Sequence, residues 1–579
     1  MKMCKGFFDK FFRIFVLVIL ASGEHVSGDP AVTTDGQCAT KAGEGQESSS
    51  GTNDCPSGKP VSPLTEEIAK KHEKKNIAQP ALTLSLFSNV PPTINFVRPD
   101  QQVEELPPAI RSRLKYYGDP SSVIAGYISR SGFTHSTDAG EYTFYFSLPY
   151  QINETKYYQM VRPYQKFNHF PDSWILGCKD KLAGNLLHFK IKYGSEEYGF
   201  FPRTFILPFD RISLKRAWDS TEKGAWILKP SCTFGGNGIE VVNDWKQIPE
   251  NEYVVVQRYI PNPILCDGFK MDLRLYVHVT SIDPLRIYLL NEGSVRISAK
   301  KYTMDDLHNR AIHLTNRDVV PEDSGYFVDE NMERGNRRSF TWLWGYLKEK
   351  YGVEHQPIWD SIKDVVIKTI LTGEAKMRKS TRAFIKNRYS VHELFGFDIL
   401  LDEDLKAWLM EVNVSPRFPR NILKRVTQPM LASMLNLAGV QIPAAEMLPK
   451  LKHSTEEDAV PEHLVMNRNL WTQPLTDEEK TKHAKYTGIT DEVAQQSILD
   501  KLTPDDIRML VETVGEYHRR GDFERIFPAP DTKKYHKFFK KPRYYNLLLH
   551  HWIQRYQHNE KEGIKVLESY CKQSKHLQP

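Results

Sequence analysis

Between Lys270 and Ser298 the chain alternates with a period of two, and no other stretch limits the possible folds as tightly. Leu273, Leu275, Val277 and Val279 share one face of an extended segment, while Lys270, Asp272 and Arg274 share the other. Asp283-Pro284 then predicts a turn, Arg286 to Leu290 a strand, Asn291-Glu292-Gly293 a second turn, and Val295 to Ser298 a further strand. Successive strands on such short turns run antiparallel. Ala225 to Lys229 and Tyr253 to Gln257 read as shorter strands, and Ile362, Val365, Val366 and Ile370 recur at helical spacing. Strands and helices interleave, so the expected class is α/β or α+β.

The flanks are of a different character. Lys2, Lys5, Lys10 and Arg13 precede an apolar run from Ile14 to Ala21, followed by Ser22-Gly23. That is the pattern of a signal peptide over residues 1–28, and the run is too short to span a bilayer. Residues 29–83 are Gly-, Ser-, Thr- and Pro-rich and are expected to be a disordered linker. Residues 446–498 read as a second linker, rich in Lys, Glu and Thr. Beyond it, Thr503-Pro504-Asp505-Asp506 is a helix start with a cap, a proline at the first position and acids in the first turn.

Composition excludes whole classes. With 40% hydrophobic and 26% charged residues, the chain is no disordered polymer, fibre or multi-span membrane protein. A net charge of +6 spread over 579 residues gives little ground for nucleic-acid binding. The seven cysteines are scattered and odd in number, which argues against a disulfide framework or zinc motif and points to reduced thiols.

Three constellations could carry chemistry. Lys229 ends a strand and leads into Gly235, Gly236 and Gly238, where backbone N–H groups could approach phosphate, although a plain hairpin turn is the commoner use of such glycines. Lys270, Asp272 and Arg274 lie on one strand face, as either a solvated ladder or the lining of a nucleotide or carboxylate site. The segment from Phe395 to Asn413 reads as two strands joined by an acidic turn. A two-residue loop pairs Asp398 with Leu409 and a four-residue loop pairs it with Glu411; either register puts Asp398, Glu411 and Asn413 on one face. Two carboxylates and an amide oxygen are a hard-oxygen set suited to Mg²⁺. No Ser/His/Asp or Cys/His set stands out.

These residues occur in a recognisable order. Lys229-Pro230 with its glycine turn, Val256-Gln257-Arg258-Tyr259-Ile260, Lys270-Met271-Asp272-Leu273-Arg274, His313-Leu314-Thr315-Asn316, and Phe397-Asp398 followed by Glu411-Val412-Asn413-Val414-Ser415-Pro416 resemble the tubulin–tyrosine-ligase-like family. The chain looks most like that family's member-4 branch of tubulin polyglutamylases. The similarity extends from about residue 84 to 570, through Asn168-His169-Phe170-Pro171, Lys179-Asp180 and Phe523-Glu524-Arg525-Ile526-Phe527. The resemblance implies an ATP-grasp fold over residues 216–445, a small α/β domain before it at 84–215, and a helical, basic extension at 499–579. It implies ATP held by Lys229, Gly235, Gly236, Gln257, Arg258, Tyr259, Ile260, Lys270, Asp272, Thr315 and Asn316, and Mg²⁺ held by Asp398, Glu411 and Asn413. Lys229, Lys270, Arg274 and Arg296 would be the catalytic cations. The implied reaction is ATP-dependent ligation of free glutamate to a glutamate side chain in a tubulin tail, through an acyl phosphate. Tubulin and free glutamate would be the partners of a monomer, with no nucleic acid and no membrane span.

The chain departs from the family where the incoming amino acid would bind. Related polyglutamylases follow His-Leu-Thr-Asn with Tyr-Ser and a nearby lysine, whereas this chain has Arg317, Asp318 and Pro321. The glycine turn lacks the usual arginine, and Arg417 stands where the family has serine. Two alternatives follow: a catalytically weakened microtubule-binding relative, or a ligase for another amino acid such as glycine. The resemblance implies a place in the cytoplasm, on microtubules such as those of a cilium or basal body, against the signal-like start.

Overall fold

A computed structural model of the chain describes residues 78–138, 140–146, 158–220, 224–233, 235–320, 325–329, 331–418, 423–448, 459–471 and 473–579. The signal-like segment, residues 29–77 of the first expected linker, and Pro321 lie outside the described residues.

The architecture is mixed α/β, as the interleaved pattern predicts. Strands β1 (Lys115–Gly118), β2 (Thr134–His135), β3 (Phe144–Phe146) and β4 (Lys166–Phe167) form a parallel sheet in the order β2-β1-β3-β4. Helix α1 (Lys179–Tyr193) leads to an antiparallel sheet of β5 (Thr204–Leu207), β6 (Trp226–Pro230), β7 (Glu240–Val242) and β8 (Val254–Arg258), ordered β5-β8-β6-β7. The largest sheet is built on β9 (Phe269–Ile282), which pairs with β10 (Leu285–Leu290) and β11 (Ser294–Lys301) in the expected meander. Strand β12 (Arg337–Ser339) extends it beside β11, and β13 (Glu393–Leu401) pairs with β9 and with β14 (Ala407–Val414).

Both faces of β9 are covered. Leu273, Leu275, Val277 and Val279 pack with Ile362, Val365, Val366 and Ile370 of α2 (His355–Phe384). On the other face, Tyr276 packs with Met430, Leu431, Met434 and Leu435 of α3 (Gln428–Ala438). Burying a branched or leucine side chain contributes about 1.5–3 kcal/mol, so this sandwich dominates the core. Helix α2 runs well beyond the periodic stretch at 362–371. Past Leu371 its buried positions are Thr372, Gly373, Glu374, Met377 and Ser380, so the helix continues where its apolar signal fades.

The 446–498 stretch differs from a linker. It contains α4 (Asp477–Gly488), opened by a capping box of Thr476 and Glu479, whose Tyr486 is buried with Leu510 and Leu548. A Lys/Glu/Thr-rich composition also suits a helix that buries a single stripe. Helix α5 (Pro504–His518) starts as expected, with the Thr503 hydroxyl accepting from the Asp506 N–H at 3.2 Å. Strand β15 (Phe523–Phe527) then pairs with β10, so the extension is not purely helical; α6 (Tyr544–Tyr556) and α7 (Glu560–Lys572) follow. Its basic run is largely consumed by acids: Lys533 pairs with Glu492, Lys537 with Glu197, and Arg543 with Glu374 at 3.2 Å. Among the described residues, no helix is long and apolar enough to cross a membrane.

One buried ion-pair group joins the extension to the sheet. Arg286 of β10 is 1% exposed and reaches Glu512 Oε1 at 2.7 Å and Glu516 Oε1 at 3.0 Å, both on α5. An exposed pair contributes at most about 1 kcal/mol, but removing one partner of a buried pair strands the other charge at a cost of about 3–5 kcal/mol. Arg286→Leu is therefore expected to lower the unfolding free energy in urea by about 3–5 kcal/mol. A loss under about 1 kcal/mol would show that these glutamates find water instead.

Candidate active site

The polar end of β9 meets two other strands. Asp272 faces Arg296 across the β9–β11 ladder, and Arg274 faces Asp398 across the β9–β13 ladder. The side chains close into a network. Arg274 Nε and Nη2 donate to Asp398 Oδ1 and Oδ2 at 2.5 and 3.1 Å. Arg296 Nη2 lies 2.8 Å from the same Oδ2, and its Nε donates to Asp272 Oδ1 at 2.5 Å. The Thr315 hydroxyl ends this chain of contacts by donating to Asp272 Oδ2. Burial by itself would raise the Asp398 carboxyl, but the Arg274 and Arg296 guanidiniums outweigh it and hold the group well below the usual carboxylate range. Asp398 therefore stays ionised at any physiological pH.

A bulge sets the opposite strand. Asp398 pairs with Glu411, whereas Ile399, Leu400 and Leu401 pair with Leu409, Trp408 and Ala407. The turn thus has a three-residue loop, and that register alone would oppose Asp398 to Met410. The extra residue restores the Glu411 pairing and turns the carboxylates to one face. Asn413 Nδ2 donates to Glu411 Oε1 at 3.3 Å, and Lys179 Nζ lies 3.4 Å from Glu411 Oε2. Asp398, Glu411 and Asn413 are thereby gathered as the hairpin reading requires.

Two lysines stand near this cluster. Lys229 of β6 and Gln257 of β8 share a sheet face, and Lys229 Nζ donates to Gln257 Oε1 at 2.7 Å. Lys270 Nζ donates to the Tyr259 hydroxyl at 2.9 Å and to the His313 carbonyl at 3.0 Å. Both are buried, and among the described residues neither forms an ion pair within 4 Å. Desolvation pushes each ammonium down to about 8, with Glu411 partly opposing it at Lys229 and Asp272 at Lys270. Buried cations without counter-ions are costly unless an anion arrives.

The glycine turn after β6 packs against residues 310–319. Gly235 and Gly236 have φ of +72° and +79°, and a Cβ on Gly235 would come within 2.5 Å of Asp318 Oδ2. A side chain there is strained by the left-handed backbone, and the Asp318 carboxylate would have to turn aside to admit it. Arg310 donates to the Gly236 carbonyl, and the Asn316 amide sits against Gly236.

Not every expected residue converges. Arg258 lies on the other face of β8 from Gln257, with its guanidinium 5.4 Å from the Trp226 ring centre. Strand alternation forces this, since neighbours 257 and 258 cannot share a face. Ile260 is half-buried just beyond the strand. Arg317 lies over the Tyr326 ring at 5.0 Å, and Arg417 Nη1 sits 3.3 Å from Asp318 Oδ2 near the surface. Two features were hidden from sequence reasoning by their separation. Lys179 reaches Glu411 from the start of α1. Ser415 Oγ shares a hydrogen bond with His169 Nε2 at 2.9 Å, and His169 Nδ1 with Glu393 Oε1 at 2.9 Å. Ser415 has φ of +55° directly after β14, so this buried array fixes the turn that follows Asn413.

Residues 157–450 match the model of the tubulin-tyrosine ligase family. The chain is 39% identical over 539 residues to the human protein named tubulin monoglutamylase TTLL4, covering 89% of this chain and 43% of that one. It is 38% identical over 522 residues to the mouse protein of the same name, again with 43% of the relative covered. The Caenorhabditis elegans protein named tubulin polyglutamylase ttll-4 is 32% identical over 532 residues, 89% of this chain and 84% of the relative. The chain thus spans less than half the length of the mammalian relatives and most of the nematode one.

Proposed function

The chain belongs to the tubulin-tyrosine ligase family, and from that premise we propose that it is an ATP-grasp ligase joining free glutamate to glutamate side chains in tubulin tails. The observation that carries this reading is the pair of buried lysines, neither in an ion pair within 4 Å among the described residues, beside three gathered oxygen ligands. A triphosphate supplies the missing anion.

In this reading Lys229 and Lys270 neutralise the phosphates, with the Gly235–Gly236 turn closing over them through backbone N–H groups. Gln257, Tyr259 and Ile260 hold the base, and Thr315, Asn316 and Asp272 the rest of the nucleotide. Arg258 is assigned no contact, because it faces away. The donor set suits Mg²⁺: two carboxylates and an amide whose Nδ2 is already used toward Glu411, leaving its oxygen to ligate. Asp398, Glu411 and Asn413 would hold the ion, which when bound would neutralise charge between phosphate groups.

A carboxylate is a poor acylating agent. The acceptor carboxylate takes the terminal phosphoryl group to give an acyl phosphate and ADP. The amine of glutamate then attacks the acyl carbon, phosphate leaves and an amide remains. Arg274 and Arg296 supply fixed positive charge next to the reacting carboxylates, and catalysis rests on positioning and charge neutralisation. The acidic tubulin tail places the protein on microtubules in the cytoplasm.

The test is mass spectrometry of unmodified tubulin incubated with the protein, Mg²⁺-ATP and isotopically labelled glutamate. Tail peptides should gain labelled glutamate. Gain of glycine from a mixed amino-acid pool, or no gain with ATP still bound, would overturn the reading in favour of the two alternatives.

A pH dependence follows from the lysines. Each is pushed down to about 8 from an ordinary value of 10.5, so the free protein sheds protons in that window and triphosphate binding restores them. ATP affinity should fall about eightfold for each lysine, about 70-fold for the two, between pH 7.5 and 9, with proton uptake visible in calorimetry across buffers of different ionisation enthalpy. The unfolded chain holds more protons over the same window, so these two groups make the nucleotide-free fold gain stability as pH rises. Proton release on binding would contradict the assignment.

A further inference from the structure

Two of the scattered cysteines meet at the edge of the site. Cys178 and Cys232 Sγ lie 2.7 Å apart and share a hydrogen bond. Cys178 is buried at the start of α1, and Cys232 is exposed on the turn after β6. Their backbones are fastened on either side: the Lys179 N–H donates to the Ser231 carbonyl at 3.1 Å, and Lys179 Nζ to the Thr233 carbonyl at 2.7 Å. Asp180 lies beside them, and its carboxylate with the two sulfurs falls within 4.8 Å, a grouping that could suit a metal.

Geometry decides between metal and bond. Two thiolates on a tetrahedral zinc, each at about 2.3 Å, stand roughly 3.8 Å apart. A disulfide requires about 2.05 Å. The observed spacing is closer to the bond, and both Asp180 oxygens are engaged, one by Ser231 and one by the Tyr253 hydroxyl at 2.7 Å. We propose that Cys178 and Cys232 are a modification site, closing a reversible disulfide that fastens the base of the glycine turn to α1.

The chemistry balances with a hydroperoxide as oxidant. The Cys232 thiolate attacks the O–O bond, giving a sulfenic acid and releasing an alcohol, or water from hydrogen peroxide. The Cys178 sulfur then attacks the sulfenic sulfur, the S–S bond forms, and water leaves. Two thiol protons and two electrons pass to the peroxide. Exposure makes Cys232 the sulfur that meets the oxidant, and its hydrogen bond with Cys178 pushes it down to about 7. Cys178 is held up by the same contact and by burial, so it keeps its proton until the second step.

The consequence for the site rests on the ATP reading above. Lys179 follows Cys178 directly and touches Glu411, while Gly235 lies three residues beyond Cys232. A turn tethered at its base can no longer carry its N–H groups onto an incoming phosphate, so the oxidised protein binds ATP more weakly.

The full chain is reduced, treated with hydrogen peroxide, alkylated and mapped without reductant, and its ATP dissociation constant is measured in parallel. A peptide pair joined at Cys178 and Cys232 is expected, with ATP affinity at least fivefold lower; dithiothreitol should reverse both, and Cys178→Ser should show neither. Cys178 still alkylated after Cys232 has been oxidised would overturn the site, as would thiols that alkylate only after a chelator removes zinc. A link formed with unchanged ATP affinity would overturn its effect on the turn. The peptide map does not involve glutamate transfer, so failure of the ligase reading would leave the link standing.

Discussion

The Asp398→Asn protein is expected to transfer no glutamate, a loss of at least about 10³-fold in kcat, and also to be less stable. Two effects coincide at this residue. Its charge belongs to the oxygen set proposed to hold Mg²⁺, and the same charge balances Arg274 and Arg296 within a buried network. Removing it leaves two guanidiniums facing an uncharged amide, at a cost of about 3–5 kcal/mol. Glu411→Gln separates the two effects. Glu411 is partly exposed and has only Lys179 within ion-pair distance among the described residues. Its loss should abolish transfer while unfolding free energy changes by about 1 kcal/mol or less. Urea titrations beside the labelled-glutamate assay give both numbers. Transfer retained in either variant would remove the ligand assignment, whatever happened to stability.

Lys270→Met should show the reverse pattern, with ATP bound at least about 100-fold more weakly by a protein whose stability lies within about 1 kcal/mol of the parent's. Desolvation has pushed the ammonium from 10.5 to about 8, which corresponds to roughly 3 kcal/mol carried as strain in the nucleotide-free state. Methionine keeps the buried alkyl chain and removes the charge. The hydrogen bonds to the Tyr259 hydroxyl and the His313 carbonyl are lost, at about 1 kcal/mol each. The Tyr259 hydroxyl stays bonded to His313 Nδ1 at 2.9 Å, whereas the buried His313 carbonyl loses its Lys270 donor, at up to about 3 kcal/mol. Gain and loss therefore come within about 1 kcal/mol of each other. Thermal melts without nucleotide and equilibrium binding of ATP check the two halves. A lower melting temperature with unchanged ATP affinity would make Lys270 an ordinary structural lysine.

The meander was readable from residues 270–298 because a period of two has few alternatives when its turns are marked by Asp-Pro and Asn-Glu-Gly. The face opposite Leu273 was less readable. Alternation says which residues share a side, not whether a second layer, here α3, will cover it. The hairpin carrying Asp398 shows a finer limit. Loops of two or four residues were the natural choices, and both give the observed face. The chain instead uses a three-residue loop and a bulge at Met410, a combination with no periodic signature. Arg258 entered the expected nucleotide set because it stands between Gln257 and Tyr259 in a motif, whereas a strict strand reading would have sent it outward. Lys179 and the Ser415–His169–Glu393 array depend on contacts between residues more than two hundred positions apart, which local pattern cannot supply.

The strand at Phe523–Phe527 lies far downstream of every residue assigned to the site, yet it supplies the hydrogen bonds that complete the outer side of Leu285–Leu290. All six residues of that inner strand are buried. A message terminated early, anywhere between the codons for residues 420 and 520, would still encode the entire nucleotide and metal set. Its product would display the six-residue, mostly apolar strand Leu285–Leu290 with unpaired backbone groups, a template on which copies of a chain add to one another. Such an allele should behave as a loss of protein rather than as a shortened enzyme, appearing in the insoluble fraction.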